Sequence, residues 1–250
     1  MQAGSPRIAL ITGGGAGIGL ATAKAFAAAG TRAVITGRNE ARLAAAARQT
    51  PGIDYIVADA ASEADAEHTV ATTVQRWGRL DVLVNNAGAG AILPLAQAGA
   101  DRIAAIFATN VIGPSLLARA ALPHLRAAAG AIVNVSSTFG HKAAAGLSHY
   151  AASKAALEHM TRCWALEFAA DGIRVNAVAA GPTETRFLED RMRLTPEQIE
   201  AVKADERARI PLGRRGEPED VAPWIVSLTM PGSAWITGQV LRVDGGLVIA

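Results

Sequence analysis

A tyrosine and a lysine stand four residues apart in the segment HYAASKAALEHM, which extends from His149 to Met160. Residues four apart lie on the same face of a helix, so Tyr150 and Lys154 are predicted to be neighbours. A phenol with a pKa near ~10 exchanges protons poorly at neutral pH, but an ammonium within ~4–6 Å can lower that pKa by about 1–3 units. The pair is therefore predicted to form an acid–base centre, the alternative being two residues that share a helix face by chance.

Two serines close the strand-like run AIVNVSS, and Ser137 precedes Tyr150 by thirteen residues. Ligands of open α/β sheets bind at the carboxyl ends of the strands. We therefore expect Ser136 and Ser137 to lie at the ligand-binding edge of a sheet, close to the start of the helix that carries Tyr150.

A glycine-rich turn, TGGGAGIG, follows the first strand-like run and leads into the helical pattern LATAKAFAAAG. Glycines at such a turn let the backbone approach a pyrophosphate, whose charge then meets the free N–H groups at the start of the helix. A tight turn without a ligand is the alternative. The position between the first strand and the first helix favours a dinucleotide site.

The end of the second strand-like run bears on the choice of dinucleotide. An NAD site of this type places an acidic residue there, on the adenosine ribose, whereas this chain has Gly37 followed by Arg38. Without a carboxylate to repel it, a 2′-phosphate can be bound by the Arg38 guanidinium in bidentate fashion. We therefore expect NADP(H) in preference to NAD(H), against the alternative that Arg38 is an ordinary surface arginine.

The elements that must position these residues alternate along the chain. The strand-like runs are RIALI, RAVIT, IDYIVA, LDVLVN, AIVNVS, IRVNAV and QVLRV, and Ala-rich segments with helical spacing separate all but the last two. This alternation predicts a single doubly wound Rossmann-type α/β domain over residues 1–250, with a mainly parallel seven-stranded sheet and helices on both faces. The charged stretch at about 185–212 breaks the alternation, and we expect it to be an insertion that forms a substrate lid.

Composition and charge argue against several other classes of protein. The chain has 24 basic and 22 acidic residues, a net charge of +2, and no run of like charges that would favour nucleic-acid binding. No uninterrupted apolar run approaches the roughly 18 residues of a membrane span, and no cleavage-type site follows the first run. The lone Cys163 has no partner for a disulfide, and no histidines have metal-ligand spacing. We expect a cytoplasmic protein without a membrane, nucleic-acid or metal ligand.

Taken in order, the motifs resemble those of the short-chain dehydrogenase/reductase family over essentially the whole chain. The matching stretches are TGGGAGIG, the pair Asp59 and Ala60, NNAG at Asn85 to Gly88, Asn110, the set Ser137, Tyr150 and Lys154, AGPTET and ITGQVLRVDGG. The resemblance implies that Tyr150 is the general acid–base and that Ser137 holds the substrate oxygen. It also implies that Lys154 binds the nicotinamide ribose and lowers the tyrosine pKa, and that Asn110 carries a water linking Lys154 to solvent.

One local feature bears on the role of Asn110. Pro114 has no N–H to donate to the carbonyl four residues earlier, which is that of Asn110. The pattern therefore predicts a carbonyl free to bind a water. The alternative is a proline kink that merely bends a long helix over the sheet.

The resemblance also implies a set of coenzyme contacts. Asp59 is expected to accept a hydrogen bond from the adenine amino group, or else to serve as a helix N-cap. Thr183 and Thr185 are expected to hydrogen-bond the nicotinamide carboxamide or the phosphates. The complete set comprises Gly13, Gly15, Gly17, Ile18, Gly19, Arg38, Asp59, Ala60, Asn86, Ala87, Gly88, Tyr150, Lys154, Gly181, Pro182, Thr183 and Thr185.

These roles predict an oxidoreductase that moves hydride between NADP(H) and a ketone, aldehyde or secondary alcohol. We expect a mostly apolar pocket wall, which suggests a ketone with hydrophobic substituents, from residues 89–95, Phe139, Leu147 and residues 187–194. The alternatives are an NAD-preferring alcohol dehydrogenase of the same fold and a coenzyme-sensing regulator that binds NADP without turnover. The resemblance further implies a homotetramer, with a dimer as the alternative.

Overall fold

Seven strands form one sheet at the centre of the computed structural model, which describes residues 6–250. The strands are β1 (Ile8–Thr12), β2 (Arg32–Gly37), β3 (Ile53–Val57), β4 (Val82–Asn85), β5 (Ala131–Ser137), β6 (Arg174–Ala180) and β7 (Val240–Val243). Their spatial order is β3-β2-β1-β4-β5-β6-β7, and every neighbouring pair is parallel. The predicted doubly wound seven-stranded fold is therefore confirmed, with a sheet that is parallel throughout.

Helices cover both faces of this sheet. They are α1 (Gly17–Ala28), α2 (Glu40–Gln49), α3 (Glu63–Trp77), α4 (Ala100–Phe107), α5 (Gly113–Ala128), α6 (Ser148–Glu167), α7 (Phe187–Asp190), α8 (Pro196–Arg209) and α9 (Pro218–Ser227). The predicted lid region, 185–212, carries α7 and α8, which follow β6.

Alternate side chains of the strands decide which helices pack on which face. In β1, Ala9 and Ile11 join a core with α1, α2 and α9, whereas Ile8 and Leu10 join a second core with α3, α5 and the end of α6. Every residue of β1, β4 and β5 is buried. Strands buried on both faces have continuous apolar sequences, which is why these runs are conspicuous in the sequence.

The strand order places a crevice above the middle of the sheet. From β1 the chain moves outward through β2 to β3, and it then returns to β4 on the other side of β1. The loops that leave β1 and β4 therefore diverge, which opens a crevice at the carboxyl ends of these strands. The glycine turn after β1 and the segment after β4 meet there.

A π-helical turn separates α4 from α5. It spans Ala108–Ile112, and the Gly113 N–H donates to the Ala108 carbonyl five residues back. Pro114 lies in the first turn of α5, where its missing N–H costs little. The disturbance predicted around Asn110 is thus a π-turn, a feature that is frequent at functional sites.

The helical segment Ala100–Ala128, which comprises α4, the π-turn and α5, is long and apolar enough to cross a membrane by length and composition alone, since an 18-residue window within it has a mean hydropathy of 1.4. A count of uninterrupted apolar residues overlooks it, because Asn110, Ser115 and Arg119 interrupt the pattern. In this fold α5 packs on α3 and on the sheet. Core helices meet the same criterion, so the segment gives no argument for membrane insertion.

Candidate active site

A cavity of about 940 Å³ opens at the carboxyl ends of the strands, between the sheet edge and α7 and α8. The predicted site residues that line it are Gly13, Gly15, Gly17, Ile18, Arg38, Asn86, Ala87, Gly88, Ser137, Tyr150, Lys154, Gly181, Pro182, Thr183 and Thr185. Those that do not line it are Gly19, Asp59, Ala60 and Asn110. The fold thus brings distant motifs to one cavity, whereas four of the predicted residues do not contribute to its lining.

Ser137, Tyr150 and Lys154 all line this cavity and are buried. They are 7%, 8% and 4% exposed. The Lys154 Nζ donates to the Val135 carbonyl at 2.8 Å, and the Ser137 hydroxyl accepts from the Phe139 N–H at 3.3 Å. A strand end and the first turns of α6 therefore place one hydroxyl, one phenol and one ammonium beside the same space.

The titration behaviour of this group differs from the prediction. Burial raises the pKa of Tyr150, and the neighbouring Ser137 hydroxyl acts in the opposite direction. Burial also lowers the pKa of Lys154 to about 8, while the charge of Glu158 raises it. The predicted lowering of the tyrosine pKa by Lys154 is not found in this structure, because desolvation of the phenol dominates and the ammonium is bonded to the Val135 carbonyl.

Asn110 lies behind the cavity wall and is fully buried. Its Oδ1 accepts from the Ala89 N–H at 2.8 Å, and its Nδ2 donates to the Ala89 carbonyl at 2.8 Å and to the Ser153 hydroxyl at 2.9 Å. The side chain therefore connects the loop after β4 to α6 through hydrogen bonds. This structural role was not predicted from the sequence.

Replacing Asn110 with alanine is expected to destabilise the fold by about 2–4 kcal/mol, because the Ala89 N–H and carbonyl lose their buried partner. Urea unfolding followed by circular dichroism measures this loss. Asn39→Ala is the control, since it removes only the exposed cap of α2 and costs about 1 kcal/mol. Equal losses in the two variants would contradict the anchoring function of Asn110.

Asn86 has a structural role, because it hydrogen-bonds the backbone and side chain of the glycine turn. Its Nδ2 donates to the Thr12 and Gly13 carbonyls at 2.8 and 3.2 Å, and its N–H donates to the Thr12 Oγ1 at 3.0 Å. Gly19 packs against it so closely that a Cβ at that position would lie 2.5 Å from the Asn86 Nδ2. Gly19 therefore leaves room for the Asn86 side chain that holds the turn, and it does not line the cavity.

Asp59 and Ala60 also have local roles in this structure. The Asp59 Oδ1 accepts from the Ala61 N–H at 3.0 Å, and its other oxygen lies 3.7 Å from an Arg38 nitrogen. The N-cap of α3 is Ser62, so the suggestion that Asp59 caps this helix is wrong. The Ala60 carbonyl lies against Gly113 at the start of α5.

Two further arginines beside Arg38 were not recognised in the sequence. Arg42, on α2, and Arg191, just after α7, line the same end of the cavity. Arg42 pairs with Asp190 at 2.7 Å, which ties α2 to α7. The pKa of Arg191 is lowered by partial burial and by the neighbouring charge of Arg38. In the sequence the charged stretch at 185–212 resembles a solvated helix, and no local pattern indicates that Asp190 contacts α2.

Buried ion pairs anchor the loop that follows β6. The Arg215 Nη2 donates to the Thr183 carbonyl at 2.7 Å, and its guanidinium also pairs with Glu184 at 2.9 Å and with Glu206 on α8. Lys203 on α8 pairs with Glu184 at 2.7 Å. The loop that carries Thr183 is thereby fixed both to the lid and to the segment before α9.

Only some of the residues predicted to form the apolar wall line the cavity. They include Ile92, Phe139, Leu147, Phe187 and Met192. The Phe187 ring lies 6.0 Å from the ring of Tyr150. Leu95, the end of one predicted wall segment, is 80% exposed and does not line the cavity. The wall beside the phenol is therefore mainly apolar, with contributions from the loop after β4, the loop after β5 and the lid.

Comparison with known proteins finds similarity over nearly the whole chain. A family model described as enoyl-(acyl carrier protein) reductase matches residues 13–248. The 3-oxoacyl-(acyl-carrier-protein) reductase of Thermotoga maritima is 38% identical over 248 residues, which cover 97% of this chain and 98% of that protein. The L-fucose dehydrogenase of Bos taurus is 35% identical over 244 residues, covering 96% of this chain and 88% of that protein.

Among solved structures, the 3-ketoacyl-(acyl-carrier-protein) reductase from Brucella melitensis complexed with NADH has a TM-score of 0.90 and 32% identity, covering 98% of this chain and 100% of that chain. A short-chain dehydrogenase/reductase of unknown function from Caenorhabditis elegans, solved with cofactor, also has a TM-score of 0.90 and 32% identity, covering 98% of this chain and 96% of that chain. The similarity therefore concerns the entire domain and not a single motif.

Proposed function

Because the chain belongs to the short-chain dehydrogenase/reductase family, we propose that it is an NADP(H)-dependent oxidoreductase that transfers hydride between the nicotinamide and a ketone, aldehyde or secondary alcohol. The observation that carries this proposal is the buried group of Ser137, Tyr150 and Lys154 in the same cavity as the glycine turn. A proton donor and a dinucleotide-sized space in one cavity are what carbonyl reduction requires.

The cavity fits a dinucleotide. Gly13 and Gly17 have φ angles of +65° and +54°, which side chains rarely allow, and a Cβ on Gly17 would meet Thr185 at 2.9 Å. The first turn of α1 contains no acidic residue, so its free N–H groups and the helix dipole favour a pyrophosphate. When bound, a nicotinamide coenzyme supplies or accepts the hydride at its nicotinamide ring.

The residues beside the phenol can perform the proton chemistry. We infer that the Ser137 and Tyr150 hydroxyls hydrogen-bond the carbonyl oxygen of the substrate and stabilise the negative charge that develops there. The raised pKa of Tyr150 keeps the phenol protonated, so it is ready to donate in the direction of reduction. Lys154 would hold the nicotinamide ribose, and Asn110 would carry the water that links Lys154 to solvent.

Three arginines at one end of the cavity support NADP(H) over NAD(H). Arg38, Arg42 and Arg191 line one end of the cavity together with Glu40, and Arg38 and Arg42 lie against Asp59 and Asp190. β2 ends in Gly37 and not in a carboxylate, and guanidinium groups bind phosphate in bidentate fashion, which favours the 2′-phosphate that distinguishes NADP(H) from NAD(H). One similar solved structure contains NADH, so NAD(H) is the second candidate.

Replacing Arg38 with glutamine is expected to weaken NADPH binding by about 10- to 100-fold, because charge-assisted hydrogen bonds to the 2′-phosphate are lost. NADH binding should change little. Calorimetry with both coenzymes measures the two effects, and Arg48→Gln, an exposed arginine on α2, is the control. If the parent protein binds NADH more tightly than NADPH, the NAD-dependent alternative is correct.

The substrate that suits this wall is a ketone with hydrophobic substituents. Ile92, Leu147, Phe187 and Met192 line the cavity that also contains Tyr150, and the Phe187 ring lies 6.0 Å from the phenol ring. Apolar contacts with these side chains favour apolar substituents on the carbonyl. Relatives are named for 3-oxoacyl thioesters and for L-fucose, so substrates of very different polarity occur within the family. The apolar wall argues against a sugar in this chain.

The proposed activity is tested by following NADPH oxidation over a panel of apolar ketones, aldehydes and 3-oxoacyl thioesters. We expect turnover of at least one apolar ketone and faster turnover with NADPH than with NADH. Tight NADPH binding without turnover of any carbonyl would instead favour a coenzyme-sensing regulator. The presence of Ser137, Tyr150 and Lys154 argues against that role, because binding alone does not require a proton donor.

We further propose a cytoplasmic homotetramer, with a dimer as the alternative. Leu166, Trp235 and Ile249 are large apolar side chains that are more than four-fifths exposed in the single chain. Burial of such side chains against other copies would remove them from water. Light scattering coupled to gel filtration measures the assembly, and a monomeric mass would contradict both alternatives.

A further inference from the structure

An ion pair connects two elements of the cavity wall at the end where Arg38 lies. The Arg42 Nη1 on α2 donates to the Asp190 Oδ2 on α7 at 2.7 Å, and both residues line the cavity. Their side chains are 40% and 29% exposed. An ion pair with that much access to water contributes little to stability, because solvent screens the attraction. Arg42 can therefore exchange Asp190 for a stronger partner at low cost.

Arg42 lies where a phosphate on the adenosine ribose is expected. It follows Arg38 by four positions and belongs to the first turn of α2, where its N–H donates to the Asn39 side chain at 3.0 Å. A Cβ on Gly15 would lie 3.6 Å from the Arg42 Cβ, so the start of this side chain packs against the glycine turn. Folds of this type place the 2′ position of the ribose between that turn and the end of β2. Arg38 and Arg42 are therefore both expected beside a 2′-phosphate.

The two arginines differ in how firmly a carboxylate holds them. The Arg38 Nη1 lies 3.7 Å from the Asp59 Oδ2, beyond hydrogen-bond distance, and the Arg38 side chain is 62% exposed. Arg42, in contrast, makes a direct hydrogen bond to Asp190. Asp190 is thus the carboxylate that occupies a guanidinium of this phosphate-binding end.

A second cation can hold Asp190 when Arg42 turns away. The Arg186 Nη2 lies 3.4 Å from the Asp190 Oδ1 and 2.9 Å from the Glu189 Oε1. Release of Arg42 therefore leaves the Asp190 carboxylate beside a guanidinium and partly in water. Because no charge becomes buried without a partner, the exchange at Arg42 avoids the usual cost of breaking an ion pair.

From this contact, and resting on the proposed function, we propose that Asp190 is a specificity-determining residue that competes with the 2′-phosphate of NADP(H) for Arg42. Without coenzyme, Asp190 occupies Arg42. A 2′-phosphate displaces it, since a phosphate carries more charge than a carboxylate and accepts bidentate hydrogen bonds from a guanidinium. NAD(H) has no such phosphate and leaves the pair in place. Asp190 therefore reduces the preference for NADP(H), and only NADP(H) releases α7 from α2.

A purely structural role of the pair predicts a different pattern. If Arg42 and Asp190 only hold α7 over the bound coenzyme, loss of the pair weakens the binding of adenine nucleotides with and without a 2′-phosphate to a similar extent. If Asp190 competes for Arg42, loss of its charge tightens the binding of those ligands alone that carry the 2′-phosphate.

The test uses two coenzyme fragments without nicotinamide, adenosine 2′,5′-bisphosphate and adenosine 5′-monophosphate, whose dissociation constants are measured by calorimetry with the full-length protein. Asp190→Asn retains the shape of the side chain and removes its charge. In this variant we expect the bisphosphate to bind about three- to tenfold more tightly and the monophosphate to change by less than about twofold. Glu189→Gln is the matched control, because it removes the adjacent carboxylate of α7, which pairs with Arg186 and does not line the cavity. It should change either constant by less than about twofold.

A double-variant cycle identifies Arg42 as the group for which Asp190 and the phosphate compete. Arg42→Gln alone should weaken bisphosphate binding by about tenfold, because charge-assisted hydrogen bonds are lost. In the Arg42→Gln background, Asp190→Asn should lose most of its selective effect, since the contested guanidinium is absent.

The outcomes separate this inference from the proposed function. If Asp190→Asn leaves the ratio of the two dissociation constants at the parental value, or weakens both fragments together, the competition is overturned whether or not the protein reduces carbonyls. Selective tightening that persists in full in the Arg42→Gln background overturns Arg42 as the contested group. Selective tightening that requires Arg42, in a protein that turns over no carbonyl with either coenzyme, supports the competition and rejects the proposed oxidoreductase.

Discussion

Replacing Tyr150 with phenylalanine is expected to reduce carbonyl turnover by about 10²- to 10⁴-fold, the usual contribution of a positioned proton donor. The phenol is buried beside Ser137 at the carboxyl end of β5, and burial keeps its pKa above the ordinary value. Phenylalanine preserves the packing against Phe187 and removes only the hydroxyl. NADPH binding should therefore be nearly unchanged, because the loss is confined to the reacting oxygen.

The measurement combines steady-state NADPH oxidation with calorimetric NADPH binding. Tyr55 is the only other tyrosine, lies on β3 and does not line the cavity, so Tyr55→Phe is a matched control with parental activity expected. A Tyr150→Phe variant that keeps parental turnover would falsify the assignment of this phenol as the proton donor. Lost NADPH binding in that variant would place the phenol in coenzyme binding instead.

Replacing Lys154 with methionine is expected to abolish most turnover and to increase stability at neutral pH. The folded-state pKa of Lys154 is lowered from 10.5 to about 8 by burial. The unfolded chain therefore binds the proton more tightly, and between pH ~8 and ~10.5 the stability of the parent rises because the folded chain has lost this proton while the unfolded chain still holds it. Below about pH 8 the full penalty applies, and it is on the order of 3 kcal/mol for a shift of this size.

Methionine lacks a titrating group, so the penalty disappears, although the hydrogen bond to the Val135 carbonyl, worth about 1 kcal/mol, is lost with it. Denaturant unfolding of parent and variant from about pH 7 to about pH 10 should show a stability difference that is largest at neutral pH and declines above pH ~8. Lys24→Met, at an exposed position of α1, should show no such trend. A constant difference across this range would mean that Lys154 does not titrate abnormally.

Much of the fold follows from local patterns. The seven β-branched runs correspond to β1 to β7. The inner strands β1, β4 and β5 are buried at every residue, as expected for parallel strands covered on both faces, whereas the edge strands β3 and β7 are only partly buried. Parallel strands with helical connections have few possible arrangements, so the alternation also predicts the doubly wound topology. The spatial order of the strands was known only from the structure, because the sequence of a strand does not indicate which other strand it pairs with.

The chemistry of the site was visible in the sequence for the same local reason. Tyr150 and Lys154 share a helix face by spacing alone, and Ser137 ends a strand at the edge where ligands bind. The glycine turn of β1 was visible because only glycine adopts the φ angles of Gly13 and Gly17 without strain. Residue type, spacing and the ends of elements therefore determined where proton transfer and phosphate binding are expected.

Only the tertiary structure decided which side chains meet across the fold. Arg42 and Asp190 are separated by 148 positions, yet they pair and join α2 to the lid. In the sequence Glu158 resembles any other charged residue of a helix. Only the structure shows that it is buried, as Lys154 is, under the turn after β5. The pKa of a group depends on burial and on charges from other elements, which is why the spacing of Tyr150 and Lys154 predicted their proximity but not the raised pKa of the phenol.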